Sequence, residues 1–215
     1  MTITFQKQTL HLHPFRAIFW EEQDALLIAD LHLGKAAHFR KHGLAVPAVV
    51  LQKNLENLQI LIDTFAPQRV IFLGDLFHST LNYVWQYFVR FMENYGDLCF
   101  ELVQGNHDIL PPELYAAAQL TVYTEPLVVE AFIFSHYPLE EVPARLYNFY
   151  GHLHPGVKLS GYGGQSMRLP CFHFGKRQAV LPAFGKFTGL AIVRPVAGDQ
   201  VFVIGEGQVF AVETG

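Results

Sequence analysis

The chain has 215 residues, 51% of them apolar, 14% aromatic and 16% charged, which is enough to close a hydrophobic core and excludes an intrinsically disordered protein. Against 15 basic side chains stand 19 acidic ones, a formal charge of −4, so a uniformly cationic glove for duplex nucleic acid is not expected. Cys99 and Cys171 belong to no CxxC pair; they exclude a disulfide scaffold and read as reduced, buried thiols. No apolar run approaches the roughly 18 residues of a membrane span, and the N-terminus lacks the basic-then-apolar pattern of a signal peptide. A soluble, cytoplasmic protein with no membrane partner is expected, folded as one domain over residues 1–215.

In chain order, Ala25 to Ala29, Arg69 to Leu73, Cys99 to Val103, Ala131 to Phe134 and Leu146 to Tyr150 read as short apolar strands. Between the first two, Leu51, Leu55, Leu58, Leu61, Ile62 and Phe65 recur at the spacing of a one-sided helix, with Pro47 suited to its first turn. A second helix is expected from Asn82 to Tyr95, with Val84, Trp85, Phe88, Phe91 and Met92 inward and Gly96 as its stop. After about Gly156 the pattern changes to hairpins, Val157–Ser160 with Met167–Phe174 and Gln200–Ile204 with Gln208–Val212, which suggests a second sheet packed on the first.

Each strand of the first group ends in polar side chains: Asp30-Leu31-His32, Gly74-Asp75, Gly105-Asn106-His107-Asp108, His136, and Gly151-His152-Leu153-His154. Ligands collect beyond the carboxyl ends of strands in open α/β sheets, so these endings can converge on one rim. The donors are carboxylate, amide and imidazole without thiolate. This set suits manganese, iron or zinc better than calcium. It also exceeds what one first-row ion can take, so two ions are expected, with Asp75 as the natural bridge through its two oxygens. Two divalent cations held by two aspartates, neutral imidazoles and one amide leave the assembly net positive even with a bridging hydroxide. Such a centre attracts a phosphate and acidifies the water that attacks it.

The order DxH, GD, GNHD, H, GHxH resembles that of the calcineurin-like metallophosphoesterases, and every element of the pattern is present. The resemblance implies an α/β fold in which two mixed β-sheets form a sandwich flanked by helices, a four-layer arrangement. It implies that Asp30, His32, Asp75 and His154 hold one ion, that Asp75, Asn106, His136 and His152 hold the other, and that His107 is a catalytic histidine that steadies the transition state or protonates the leaving oxygen. An imidazole, which titrates near neutrality, suits that task.

Longer segments, DLHLGKAAHFRKHG at 30–43, GDLFHS at 74–79, GHLHP at 151–155, RLPCF at 168–172 and LPAFGKFTG at 181–189, are similar to those of the bacterial ligase-associated DNA-damage-response endonucleases. That likeness runs from about Ala25 to Gly189, with Leu190 standing where a second glycine is expected. It implies manganese-dependent phosphodiesterase action on single-stranded or damaged DNA, or on RNA, in DNA repair, and a functional association with a DNA ligase and a helicase.

Other residues carry weaker readings. Arg40, within the basic cluster Lys35, His38, Arg40, Lys41 and His42, is a substrate-binding candidate set against a solvated helix face; His78, just beyond Asp75, is another. From Gly151 onward six basic residues face three acidic ones, and this lip beside Tyr162, Phe172, Phe174 and Phe184 is read either as a track for a single strand or as core. Asp108 reads as a turn or helix cap. His11, His13 and His173 read as structural. A phosphomonoesterase or a nucleotide or lipid-sugar pyrophosphatase with the same centre is the rival enzyme reading, and a non-catalytic adaptor on the same fold the rival of another kind.

Overall fold

The computed structural model describes residues 1–34, 49–77, 81–161, 165–186 and 188–212. Strands β1 (Thr2–Phe5), β2 (Gln8–His13) and β3 (Ala17–Trp20) form an antiparallel meander that runs on to β4 (Ala25–Ile28). From β4 the pairing turns parallel through β5 (Arg69–Leu73), β6 (Cys99–Val103) and β7 (Leu120–Tyr123), and the seven strands lie side by side in chain order. Parallel neighbours need crossovers. These are helices α1 (Val49–Phe65), α2 (Tyr83–Glu93) and α3 (Pro112–Ala117).

The helices form where periodicity demands. In α1, Leu58, Leu61 and Ile62 are buried, with Leu55 and Phe65 packed against them. Helix α2 is started by Asn82, whose side chain accepts the Val84 amide, and it buries Val84, Trp85, Phe88 and Met92. Both press onto the face of the first sheet that carries Leu26, Ile28, Val70, Phe72 and Leu102.

The opposite face packs on a second mixed sheet. Its strands are β8 (Leu127–Val129), β9 (Phe132–Ser135), β10 (Tyr147–Tyr150), β11 (Pro155–Ser160), β12 (Ser166–Phe174), β13 (Gln178–Val180) and β14 (Ala191–Ile192), with β15 (Gln200–Gly205) and β16 (Gln208–Val212) continuing from β12. Strand β10 lies between β9 and β13, parallel to both. Leu27, Ile71 and Leu73 from one sheet and Phe132, Phe134, Phe149, Phe172 and Phe174 from the other fill the space between them. Each fully buried side chain of this size is worth about 1.5–3 kcal/mol. The expected sandwich of two mixed sheets is what forms, and the described helices flank it on the outer face of the first sheet. No described helix is long and apolar enough to cross a membrane.

Three expectations change. The meander β1 to β3 is not foreseen from sequence, yet it supplies Leu10, Leu12, Ile18 and Trp20 to the core between the sheets. Cys99 is exposed, because it is the first residue of β6 and only the four after it are covered, whereas Cys171 is buried. The aromatic track is also overturned: Phe172, Phe174 and Phe184 are almost wholly buried, alternation along β12 having turned the first two into the intersheet core. Tyr162 and the cluster 35–42 lie outside the described residues.

At the other end of the first sheet, Arg69 grips Glu101 with two hydrogen bonds of 2.7 and 3.0 Å, and the Tyr123 hydroxyl donates to the same carboxylate at 2.8 Å. Glu101 is buried, so removal of Arg69 leaves a desolvated charge with one neutral partner. Arg69→Ala is expected to lower unfolding stability by about 2 kcal/mol, read by urea denaturation, with part recovered when Glu101→Leu is added. An Arg69→Ala protein with an unchanged midpoint would contradict this.

Candidate metal centre

The polar endings of β4, β5, β6, β9 and β10 meet at one rim of the sandwich. The loop after β4 runs beside the loop after β5: Asp30 N donates to Gly74 O, His32 N to Asp75 O and Leu33 N to Leu76 O at 2.8–3.2 Å. On its other side lies the segment 183–185, where Phe184 N donates to Ala29 O and Gly185 N to Asp30 O. The half-buried guanidinium of Arg16 holds that segment through the carbonyls of Ala183 and Gly185. Glycine precedes the donors because the strand ends almost touch. A Cβ on Gly74, whose φ is +76°, would land on the His136 ring, and one on Gly105 would land on the backbone of Asp75.

Asp30, His32, Asp75, His152 and His154 all have positive φ, between 49° and 65°. Left-handed conformations cost non-glycine residues roughly 1–2 kcal/mol each. Their recurrence at the donors marks backbone bent to aim side chains inward.

Two sets of ligand atoms result. Asp30, His32 and His154 bring one atom each to within 4.8 Å of one another, and so do Asp75, His136 and His152. Asp75 spans them: Oδ1 is 3.4 Å from His136 Nε2, while Oδ2 is 3.8 Å from His32 Nε2. Asn106 joins the second set, its Oδ1 lying 3.2 Å from His136 Nε2. All seven side chains proposed from sequence as ligands are thus brought together. His107 stands over the rim, partly exposed, with Nε2 3.9 Å from Asp75 Oδ2, while its backbone amide donates to Asp75 Oδ1 at 3.0 Å. Arg40 and His78, the substrate-binding candidates, lie outside the described residues.

Proton bookkeeping shows that the cluster suits cations. His136 Nδ1 faces the Leu73 carbonyl at 3.1 Å and must carry its hydrogen there, which leaves a lone pair on Nε2 of the neutral ring. That lone pair points at the Asn106 oxygen and at His152 Nδ1, 3.2 Å away. His32 Nε2 and His154 Nε2 likewise face each other at 3.3 Å. Asp30 is fully buried; Oδ2 accepts the His152 amide at 2.8 Å, but Oδ1 has no hydrogen-bond partner. An orphaned buried carboxylate oxygen among inward lone pairs is costly unless a cation sits among them. Burial, and then the neighbouring His136, holds His152 below the usual imidazole range, in the neutral form that ligates.

Asp108 proves to be a turn residue with a longer reach than its sequence setting suggests. It accepts the Gly105 amide at 2.9 Å and the Phe77 amide at 3.0 Å, tying the loop after β6 to the loop after β5. Burial pushes its carboxyl up to about 7 against the pull of those two amides. His13 accepts the Phe15 amide, His11 contacts Glu21 and His173 contacts Asp199, three structural roles as expected. Sequence reasoning missed Tyr137. Its hydroxyl is 2.8 Å from Asn106 Oδ1 and its ring lies against His136 and His152, with the phenol raised by desolvation and then by the charge of Asp75. Its one signal was adjacency to His136.

A dinuclear divalent-metal centre at the mouth of a two-sheet sandwich defines a metal-dependent phosphoesterase. The chain belongs to the calcineurin-like phosphoesterase family, whose model matches residues 25–199. Among solved structures it is similar to the Pseudomonas putida nuclease MPE, at 28% identity and a TM-score of 0.82 over 99% of each chain. Weaker likenesses are to the phosphoesterase Yfce from E. coli, at 13% identity and TM-score 0.46 over 89% of this chain and 99% of that one, and to the protein AQ665 of unknown function from Aquifex aeolicus, at 18% and 0.44 over 60% and 78%. A search of curated proteins returned no match.

If Asp30 Oδ1 is held for a cation, Asp30→Asn should relieve the metal-stripped protein while damaging the loaded one. Stripped Asp30→Asn is expected to melt at or above the temperature of the unaltered protein. Excess divalent metal, worth about 2.7 kcal/mol at a hundredfold over Kd, should raise the melting temperature of the unaltered protein far more than that of the variant. Equal metal-induced shifts in both, read by differential scanning fluorimetry, would contradict the assignment.

Proposed function

We propose that this protein is a manganese-dependent phosphodiesterase that cleaves nucleic acid, acting as a nuclease on single-stranded or damaged DNA in repair. The observation that carries the reading is the likeness over 99% of both chains to a protein described as a nuclease, with six further oxygen and imidazole donors gathered around Asp75. Manganese fits a donor set of carboxylate, amide and imidazole without thiolate. A functional association with a DNA ligase and a helicase belongs to the same reading and rests on the resemblance of the motifs alone.

When bound, the two ions supply Lewis-acid polarisation of phosphoryl oxygens and a water acidified toward hydroxide. The protein's own groups do the rest. Asp75 is clamped by the His107 amide so that its two oxygens face different donor sets. His136 is fixed in the Nδ1–H tautomer by the Leu73 carbonyl and offers only its Nε2 lone pair inward. Asn106 contributes an oxygen without a charge, which keeps the centre more positive toward a phosphate than a third aspartate would. His107, on the open side, gives a proton to the departing oxygen.

His107→Ala is expected to keep its full metal content while kcat falls by about 10²–10⁴-fold; parallel loss of metal would make His107 a ligand instead. With manganese restored to stripped protein, cleavage is expected of a simple phosphate diester and of a single-stranded oligonucleotide. Activity confined to phosphate monoesters would overturn the nuclease reading.

A further inference from the structure

The ring that closes the second donor set belongs to a residue outside every motif. Tyr137 follows His136 directly, is 46% exposed, and leans over the site. Its ring centroid is 4.7 Å from that of His136, edge-on at 72°, and 4.5 Å from that of His152, tilted at 56°. Its hydroxyl lies 2.8 Å from Asn106 Oδ1. One side chain therefore touches three of the four donors of that set, His136, His152 and Asn106.

An amide side chain can present oxygen or nitrogen to the same space, and only the oxygen can ligate a cation. With the lone pair of His136 Nε2 3.2 Å from the amide, turning the NH₂ group inward would satisfy the imidazole and spoil the site. A carbonyl oxygen has two lone pairs. When one is turned to a cation, the Tyr137 hydroxyl is placed to donate to the other. The ring meanwhile backs the two imidazoles, restricting their rotation about χ2.

We propose that Tyr137 is a positioning residue for one half of the centre, holding Asn106 carbonyl-inward and bracing His136 and His152, so that it sets the affinity of the Asp75–Asn106–His136–His152 site and leaves the other site alone. The proposal rests on the two-ion reading of the centre and adds an asymmetry to it. The hydroxyl acts on Asn106 and the ring on the imidazoles, so the two parts of the side chain have separable effects.

The test is titration of metal-stripped protein with manganese alone, by calorimetry and by electron paramagnetic resonance, in which a coupled manganese pair and a lone ion give different spectra. The unaltered protein should take two ions. Tyr137→Phe, which removes one exposed hydroxyl, should bind its first ion normally and its second about tenfold more weakly, within the usual range for groups that orient metal ligands. Tyr137→Ala should weaken the second step further. At ion concentrations between the two affinities both variants should show the lone-ion spectrum, and excess manganese should restore the paired spectrum and most of the turnover of Tyr137→Phe at unchanged KM.

Two normal binding steps in both variants, or a loss confined to KM, would overturn the positioning role and make Tyr137 a substrate contact. An equal loss at both sites would overturn the asymmetry. An unaltered protein that binds only one manganese would overturn the two-ion reading itself, an outcome distinct from either.

Discussion

Mutual repulsion among buried electron pairs is the constraint on which this molecule turns. Asp30 and Asp75 are nearly without solvent, and ring nitrogens of His32, His136, His152 and His154 converge on them, that of His136 turned by its bond to the Leu73 carbonyl. Left alone, such a cluster opposes folding. The chain tolerates it because the surrounding core is large and because each donor sits at a strand end held by main-chain contacts to its neighbours. Positive φ at five donors and glycine at the points of closest approach are consequences of the same crowding.

The sandwich brings together residues more than a hundred positions apart. Strands β4, β5 and β6 deliver Asp30, His32, Asp75, Asn106 and His107 from one sheet, while β9 and β10 deliver His136, His152 and His154 from the other. The centre straddles the seam, so the intersheet core of phenylalanine and leucine side chains doubles as the scaffold of the chemistry. Arg16, through the carbonyls of Ala183 and Gly185, and the buried carboxyl of Asp108, through main-chain amides, tie the flanking loops together.

How much of this could be read beforehand depended on the range of the interaction involved. Polar endings on apolar strands are a local pattern, and the eight side chains that the fold gathers at the centre were all visible from it once the order of the motifs was noticed. Helices α1 and α2 followed from apolar spacing, and α2 starts within one residue of its expected beginning at Asn82. The meander β1 to β3 was not foreseen, although the alternation in QTLHLH and the apolar run AIFW are local strand signals; what sequence does not carry is the pairing of these strands with β4. The aromatics of β12 left two readings open for a related reason: composition shows that Phe172 and Phe174 are large and near basic residues, but only the sheet says that they face the core. Tyr137 and Asp108 act through partners about 30 residues away, a distance at which sequence carries no geometric signal.

Anomalous diffraction from crystals soaked in manganese tests the central claim most directly. The account predicts two peaks about 3.5–4 Å apart, with Asp75 between them, Asp30, His32 and His154 about one, and Asn106, His136 and His152 about the other. A single peak, or an empty pocket at full manganese occupancy elsewhere in the crystal, would contradict it.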